Sequence, residues 1–198
     1  MKQTLTIFVL VAAFFGAPAS HASVVTFNAT LNGANEMPST TSNGTGVAAV
    51  IFNTVTQMME VKINFTGLLG NTTMAHIHCC TALPNIGSAG VATVIPSFTG
   101  FPLGVTSGTY DHIFDMSLAS SYNSSFITTH GGMVSTAEAA LLTGLFAKEA
   151  YLNIHTREFV GGEIRGFLVR AVPEPSSLAL VALGLAGLGL RTRRKQRV

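Results

Sequence analysis

The sequence predicts a mostly β fold: an antiparallel β-sandwich, Ig-like, or a barrel-like single domain, with one short helix. An N-terminal signal peptide and a C-terminal hydrophobic helix flank it. Three observations carry this. Several stretches alternate apolar and polar residues with the period of two that a half-buried strand requires. A single stretch, Ala137 to Phe146, is Ala/Leu-rich and preceded by a helix-start pattern. Both ends carry the charge and hydropathy layout of processing signals.

Taken in order, residues 1–22 hold Lys2, an apolar run from Leu5 to Phe15, and small residues ending in Ser20-His21-Ala22. That is a signal peptide, with a small-x-small cleavage site after Ala22 or Ala19. Val25, Phe27, Ala29 and Leu31 alternate with Thr26, Asn28 and Thr30, giving a strand. Asn32-Gly33 and Pro38 end it, and Ser39 to Gly46 reads as a loop. Gly46 to Asn53 is a buried strand. Met59, Val61, Ile63 and Phe65 alternate with Glu60, Lys62 and Asn64. Strand, polar turn and strand at this spacing suggest a meander or sandwich.

Met74 to Cys80 reads as an extended strand that places His76, His78 and Cys80 on one face and Ala75, Ile77 and Cys79 on the other. Val91 to Ile95 is a short strand. Pro96 to Gly104, with Phe98 and Phe101, forms an aromatic flap. Gly108 to Leu118 alternates Tyr110, His112, Phe114 and Met116. Ser120 to Gly132 is polar and Gly-bounded. Ser135-Thr136-Ala137-Glu138 is a capping box opening the helix, which ends near Gly144. Glu149 to Thr156 and Gly162 to Arg170 are the last strands, so about seven strands surround one helix.

The chain has 198 residues and a formal charge of +2. The basic residues concentrate at the ends. Residues 23–175 keep Lys62, Lys148, Arg157, Arg165 and Arg170 against all nine acidic residues, a net −4. The basic pI therefore belongs to the tail, and nucleic-acid binding has no electrostatic footprint. Two adjacent cysteines build no disulfide framework. In an oxidising compartment, Cys79 and Cys80 fit three states: a vicinal disulfide, metal ligation or free thiols. A disulfide would remove Cys80 as a thiolate ligand.

After Val172 come Pro173-Glu174-Pro175, an uncharged stretch over 176–190, and Arg191-Thr192-Arg193-Arg194-Lys195-Gln196-Arg197. The apolar stretch is shorter than the roughly 20 residues of a full span. The basic cluster would hold the tail on the cytoplasmic side. This end resembles the PEP-CTERM sorting signal of Gram-negative bacteria. The resemblance implies transient residence in the inner membrane through 176–190 and processing near Pro173-Glu174-Pro175 by an exosortase-type protease. It also implies delivery to the cell surface or extracellular matrix, from a precursor anchored in the membrane at its C-terminus. Signal peptidase would process the other end. The organisation expected is thus 1–22 signal peptide, 23–171 β domain and 172–198 sorting signal.

The β domain resembles the CHRD domain, the repeated domain of chordin that also occurs singly in bacteria. The residues that carry the likeness are Phe27 to Pro38, Phe65-Thr66-Gly67-Leu68, Ala75-His76-Ile77-His78, Tyr151 to Thr156 and Gly161-Gly162-Glu163-Ile164-Arg165-Gly166. The Cys79-Cys80 pair and the Pro/Phe-rich loop depart from it. The resemblance implies a β-rich extracellular module and supplies no settled activity.

His76, His78 and His155 are the candidate metal ligands, with Cys80 a further candidate. Imidazoles two apart on a strand sit about 7 Å apart at Cα and can converge on one ion. Three imidazoles with an open fourth position suit Zn or Cu. The alternative is that these histidines are neutral, buried and hydrogen-bonded to Asn153, Glu163 and backbone. Glu163 and Arg165, two apart on a strand, are expected to pair structurally and, with Asn153, to orient the His155 segment. His112 and His130 read as surface residues. No nucleophile elbow, phosphate loop or carboxylate pair marks a catalytic group. The leading reading is a non-enzymatic surface or matrix module with an extracellular polysaccharide or a surface protein as its partner. The alternative reading is a metal-binding redox protein or enzyme.

Overall fold

The structure is a computed structural model, and it describes residues 24–172. The signal peptide expected over 1–22, the Pro173-Glu174-Pro175 motif and the hydrophobic helix expected over 176–190 lie outside these residues. Among the described residues, no helix is long and apolar enough to cross a membrane.

One antiparallel sheet curls into a half-barrel rather than splitting into two stacked sheets. Its strands are β1 (Val24–Asn32), β2 (Thr45–Asn53), β3 (Met58–Thr66), β4 (Thr72–His78), β5 (Gly108–Asp115), β6 (Tyr151–Thr156), β7 (Ile164–Phe167) and the two-residue β8 (Val169–Arg170). The spatial order is β4-β6-β7-β1-β2-β3-β5, with β8 paired to β1. β1, β2 and β3 form a meander whose register runs unbroken from Val24↔Asn53 and Asn53↔Met58. The period-two alternation seen in the sequence is the alternation of core and outer faces. Phe27, Leu31, Val50, Phe52, Met59 and Val61 are fully buried on the inner side. Side chains of this kind contribute roughly 1.5–3 kcal/mol each when fully buried.

The aromatic flap follows the edge of β4 before leading into β5. Phe98 N–H donates to Ala75 O (3.0 Å) and Gly104 N–H to Thr72 O (2.8 Å). Phe101 stacks on Phe65 of β3 (5.6 Å), and the Tyr110 hydroxyl of β5 donates to Thr99 O (2.9 Å). The flap thereby satisfies backbone groups of an edge strand and ties the two ends of the sheet together. Phe98, Phe101 and Tyr110 are packing residues here, each buried.

Four local expectations are corrected. Val91 to Ile95 forms isolated bridges, His78↔Val91 and Thr93↔Tyr122, not a strand. The polar stretch 120–132 contains a short helix, α1 (Ser124–Thr129). Asn123 caps it by accepting from Ser125 N–H, and Thr128 and Thr129 bond back to the carbonyls of Ser124 and Ser125. The Asn123 cap supports this Ser/Thr-rich helix, whereas i−4 bonds of the Thr128 and Thr129 kind add little to it, in keeping with its six-residue length. The main helix, α2 (Val134–Ala147), runs beyond Gly144 and stops at Lys148 in the left-handed conformation (φ 61°). Its expected capping box does not form: Met133 is the N-cap, with no side-chain cap bond. Glu138 instead accepts from Gln57 Nε2 (2.5 Å), tying α2 to the β2–β3 turn. Leu141 and Leu145 of α2 are fully buried, and Phe146 meets Phe27 edge-on (5.4 Å).

Candidate metal centre

β4 and β6 pair antiparallel with Met74↔His155, His76↔Asn153 and His78↔Tyr151. Residues directly opposite each other in such a ladder share a face. One face of this two-strand ribbon therefore carries His76, His78, Tyr151, Asn153 and His155. The other face carries Ala75, Ile77, Leu152 and Ile154, all fully buried in the core. The histidines thus share one face, and it is not the inward side of the domain. They sit on the outer face of the sheet, and their burial comes from loops laid over them. Only 2%, 8% and 7% of His76, His78 and His155 is exposed.

Those loops also fix the rings. His76 donates its Nε2–H to Pro96 O (2.6 Å). His78 donates its Nδ1–H to Ala89 O (2.9 Å), and His155 donates its Nδ1–H to Val160 O (2.8 Å). A carbonyl can only accept, so each of these nitrogens carries the proton, and in a neutral imidazole the other nitrogen keeps its lone pair. The remaining nitrogens are His76 Nδ1, His78 Nε2 and His155 Nε2. All three are buried and lack any hydrogen-bond partner. The three ligand atoms offered by these rings lie within 4.8 Å of one another. Burial holds the rings neutral: it pushes the pKa of His76 and of His78 down to about 4, and it lowers that of His155.

The surroundings are aromatic and hydrogen-bonded. Tyr151 stacks on His78 with centroids 4.8 Å apart and planes 7° apart. The Tyr151 hydroxyl donates to Ala89 O (3.2 Å), the same carbonyl that receives the His78 proton. The Arg165 guanidinium lies over the Tyr151 ring, 4.6 Å from its centroid. Rings so held lose little freedom when their lone pairs are engaged.

The other predicted residues separate into distinct networks. Glu163 and Arg165 do not pair with each other. The Glu163 carboxylate accepts from Ser42 Oγ (2.6 Å), Thr156 Oγ1 (2.7 Å), Leu69 N–H (2.6 Å) and Gly70 N–H (3.1 Å). Burial works against its charge, but these donors outweigh burial and hold the carboxyl below its usual range. It anchors the 42–44 and 69–70 loops onto β6. Arg165 instead faces Glu36, Nε to Oε2 at 3.7 Å, and donates to Asn35 O. Burial pushes Glu36 up to about 7 in spite of the Arg165 charge. Neither Asn153 nor Glu163 bonds a histidine. Asn153 Nδ2 donates to Glu36 Oε1 (2.9 Å), a pair that Glu36's distance in sequence hid. The Gly162 backbone (φ +131°) passes against both side chains, and a Cβ there would overlap Asn153 Nδ2. That explains the second glycine of Gly161-Gly162.

Cys80 is not part of the cluster. β4 ends at His78, and Cys79 and Cys80 are disulfide-bonded to each other. The pair turns into the core, where Cys80 lies against α2. His112 and His130 are half-buried and outside the cluster, His112 lying on β5 opposite Val61 and His130 at the C-cap of α1.

Comparison with known proteins agrees with this architecture. A family model of the CHRD domain matches residues 27–168, and a model of the PEP-CTERM protein-sorting motif matches residues 171–195. No curated protein and no solved structure matches the chain. The sorting motif marks an exported protein that is processed at its C-terminus by exosortase, from a precursor anchored in the membrane there. With the family model running from within β1 to the residue after β7, over most of the chain, the chain belongs to the CHRD domain family.

Proposed function

We propose that this CHRD domain is an exported metal-binding module. It holds one Zn(II) or Cu(II) ion on His76 Nδ1, His78 Nε2 and His155 Nε2. The observation that carries the reading is the meeting of three buried imidazoles, each with one partnerless nitrogen, whose ligand atoms lie within 4.8 Å of one another. A buried acceptor without a donor costs about 1–3 kcal/mol. Three together, each set by a carbonyl behind its ring, match the outer-shell pattern by which proteins orient metal-binding histidines. Zn–N bonds of about 2.0–2.1 Å in a tetrahedral site need nitrogens about 3.4 Å apart, so small ring rotations suffice to close the set. Neutral imidazoles favour borderline ions, and with Cys80 in a disulfide no thiolate draws the site toward softer ones.

In this reading the sorting signal delivers the module to the surface or extracellular matrix of a Gram-negative cell. The metal makes it a binding or structural element there. The domain is tested by dialysis against Zn(II) and Cu(II), followed by elemental analysis. One ion per chain is expected, lost in His155→Ala, with the far-ultraviolet circular dichroism of the variant unchanged. Equal metal content in wild type and variant would overturn the assignment.

A further inference from the structure

Among the described residues, four buried side-chain polar atoms lack a hydrogen-bond partner. Three are the imidazole nitrogens above, and the fourth is Asn153 Oδ1. Their coincidence on one ribbon is informative. Asn153 stands directly across from His76, two residues along the same strand face from His155, and diagonal to His78, whose own partner is Tyr151. All three histidines share its face of the ribbon. Asn153 is 2% exposed, so bulk water does not satisfy its carbonyl.

The orientation of the amide follows from its other end. Asn153 Nδ2 donates to Glu36 Oε1 at 2.9 Å, and Glu36 is itself held beside Arg165. Against the ionised Glu36 carboxylate, which the neighbouring Arg165 charge favours, a flipped amide would set oxygen against oxygen. The –NH₂ end therefore faces Glu36, and Oδ1 faces away from it. Donation to a carboxylate also draws electron density onto the amide oxygen, which makes it a better donor to a cation. The reach matches as well. His76 offers its short arm, Nδ1, whereas His78 and His155 offer the longer Nε2. An ion on these three atoms sits close to the His76 backbone and hence close to the residue opposite it.

We infer that Asn153 Oδ1 is the fourth ligand, so that the metal site is a closed N₃O set made wholly by the chain. This rests on the metal-binding reading above. It answers a question that reading leaves open: whether the fourth position takes water and exogenous ligands. A closed site holds its ion without inner-sphere access for a substrate. Glu36 is then the positioning residue that aims the amide.

The test uses Cu(II)-loaded protein and azide, whose binding to copper adds a ligand-to-metal absorption band. Wild type is expected to show no azide band. Asn153→Ala opens the position: one Cu(II) is retained, affinity falls by about tenfold or more, and the azide band appears. The double variant Asn153→Asp, Glu36→Gln reverses donor and acceptor while keeping the hydrogen bond. It is expected to hold Cu(II) at least as tightly as wild type and to exclude azide, and it guards against misfolding of the alanine variant. Azide binding to wild type, or a wild-type spectrum and affinity in Asn153→Ala, overturns the inference and leaves the three-histidine site standing. Wild type that retains no Cu(II) overturns both.

Discussion

Gly144 of α2 lies directly against the Cys79–Cys80 disulfide, so closely that a Cβ on residue 144 would overlap both sulfurs. The helix accepts a residue of poor helix propensity in its interior because only a hydrogen fits there. Gly144→Ala is expected to destabilise the domain by about 1–3 kcal/mol, the cost of overpacking a dense core. Replacing both cysteines by Ala in the same chain should recover most of that loss. Chemical denaturation of the single and triple variants measures both effects, and a Gly144→Ala variant as stable as wild type would contradict the packing.

The same contact shows what the sequence could and could not reveal. β1, β2, β3 and β5 were legible because each buries one face and exposes the other, so their alternation survives in the residue order. β6 is buried on both faces, so the alternation of Asn153 and His155 with Leu152 and Ile154 marks no exposed side. The convergence of His76, His78 and His155 was also legible, as polar side chains at period two on two segments. Its location was not. Which face of a doubly buried ribbon meets the core depends on where loops 81–90 and 158–162 fall, and no local pattern encodes that. Glu36 was missed for a similar reason. It precedes Pro38 in a turn and looks solvated, but it is 8% exposed because Asn153 and Arg165 reach it from β6 and β7. Glu163 and Arg165 looked like partners at two-residue spacing, whereas each is claimed by a loop on its own side.

Glu163 gives the domain an acid-sensitive anchor. Its folded pKa is depressed below the ordinary 4.5, so its contribution is fully present above that value. The contribution is lost as pH falls through the folded pKa. Glu163→Gln keeps the shape but faces the Leu69 and Gly70 amides with a neutral group. A loss of about 1–3 kcal/mol is expected at pH 7, shrinking below pH 4.5 toward zero. Urea titrations of wild type and variant at several pH values check this. A difference that stays constant with pH would mean that the carboxylate charge is irrelevant.

Tyr151 serves the site through packing. Its ring stacks on His78, and its hydroxyl shares Ala89 O with the His78 ring proton. Tyr151→Leu removes both restraints and should weaken metal binding by about 10–100-fold, with the stoichiometry unchanged. Tyr151→Phe keeps the stack and should lose much less. Competition against a chromophoric chelator separates the two, and identical affinities in Leu and Phe variants would assign the effect to the hydroxyl alone.

The central claim is tested most directly by long-range ¹H–¹⁵N correlation of the histidine side chains during titration with Zn(II). The apo protein is expected to show His76 protonated on Nε2, and His78 and His155 protonated on Nδ1. One equivalent of Zn(II) should shift His76 Nδ1, His78 Nε2 and His155 Nε2 together, with His112 and His130 unmoved. Zinc that shifts only His112 or His130, or leaves the three buried rings unchanged, would contradict the site.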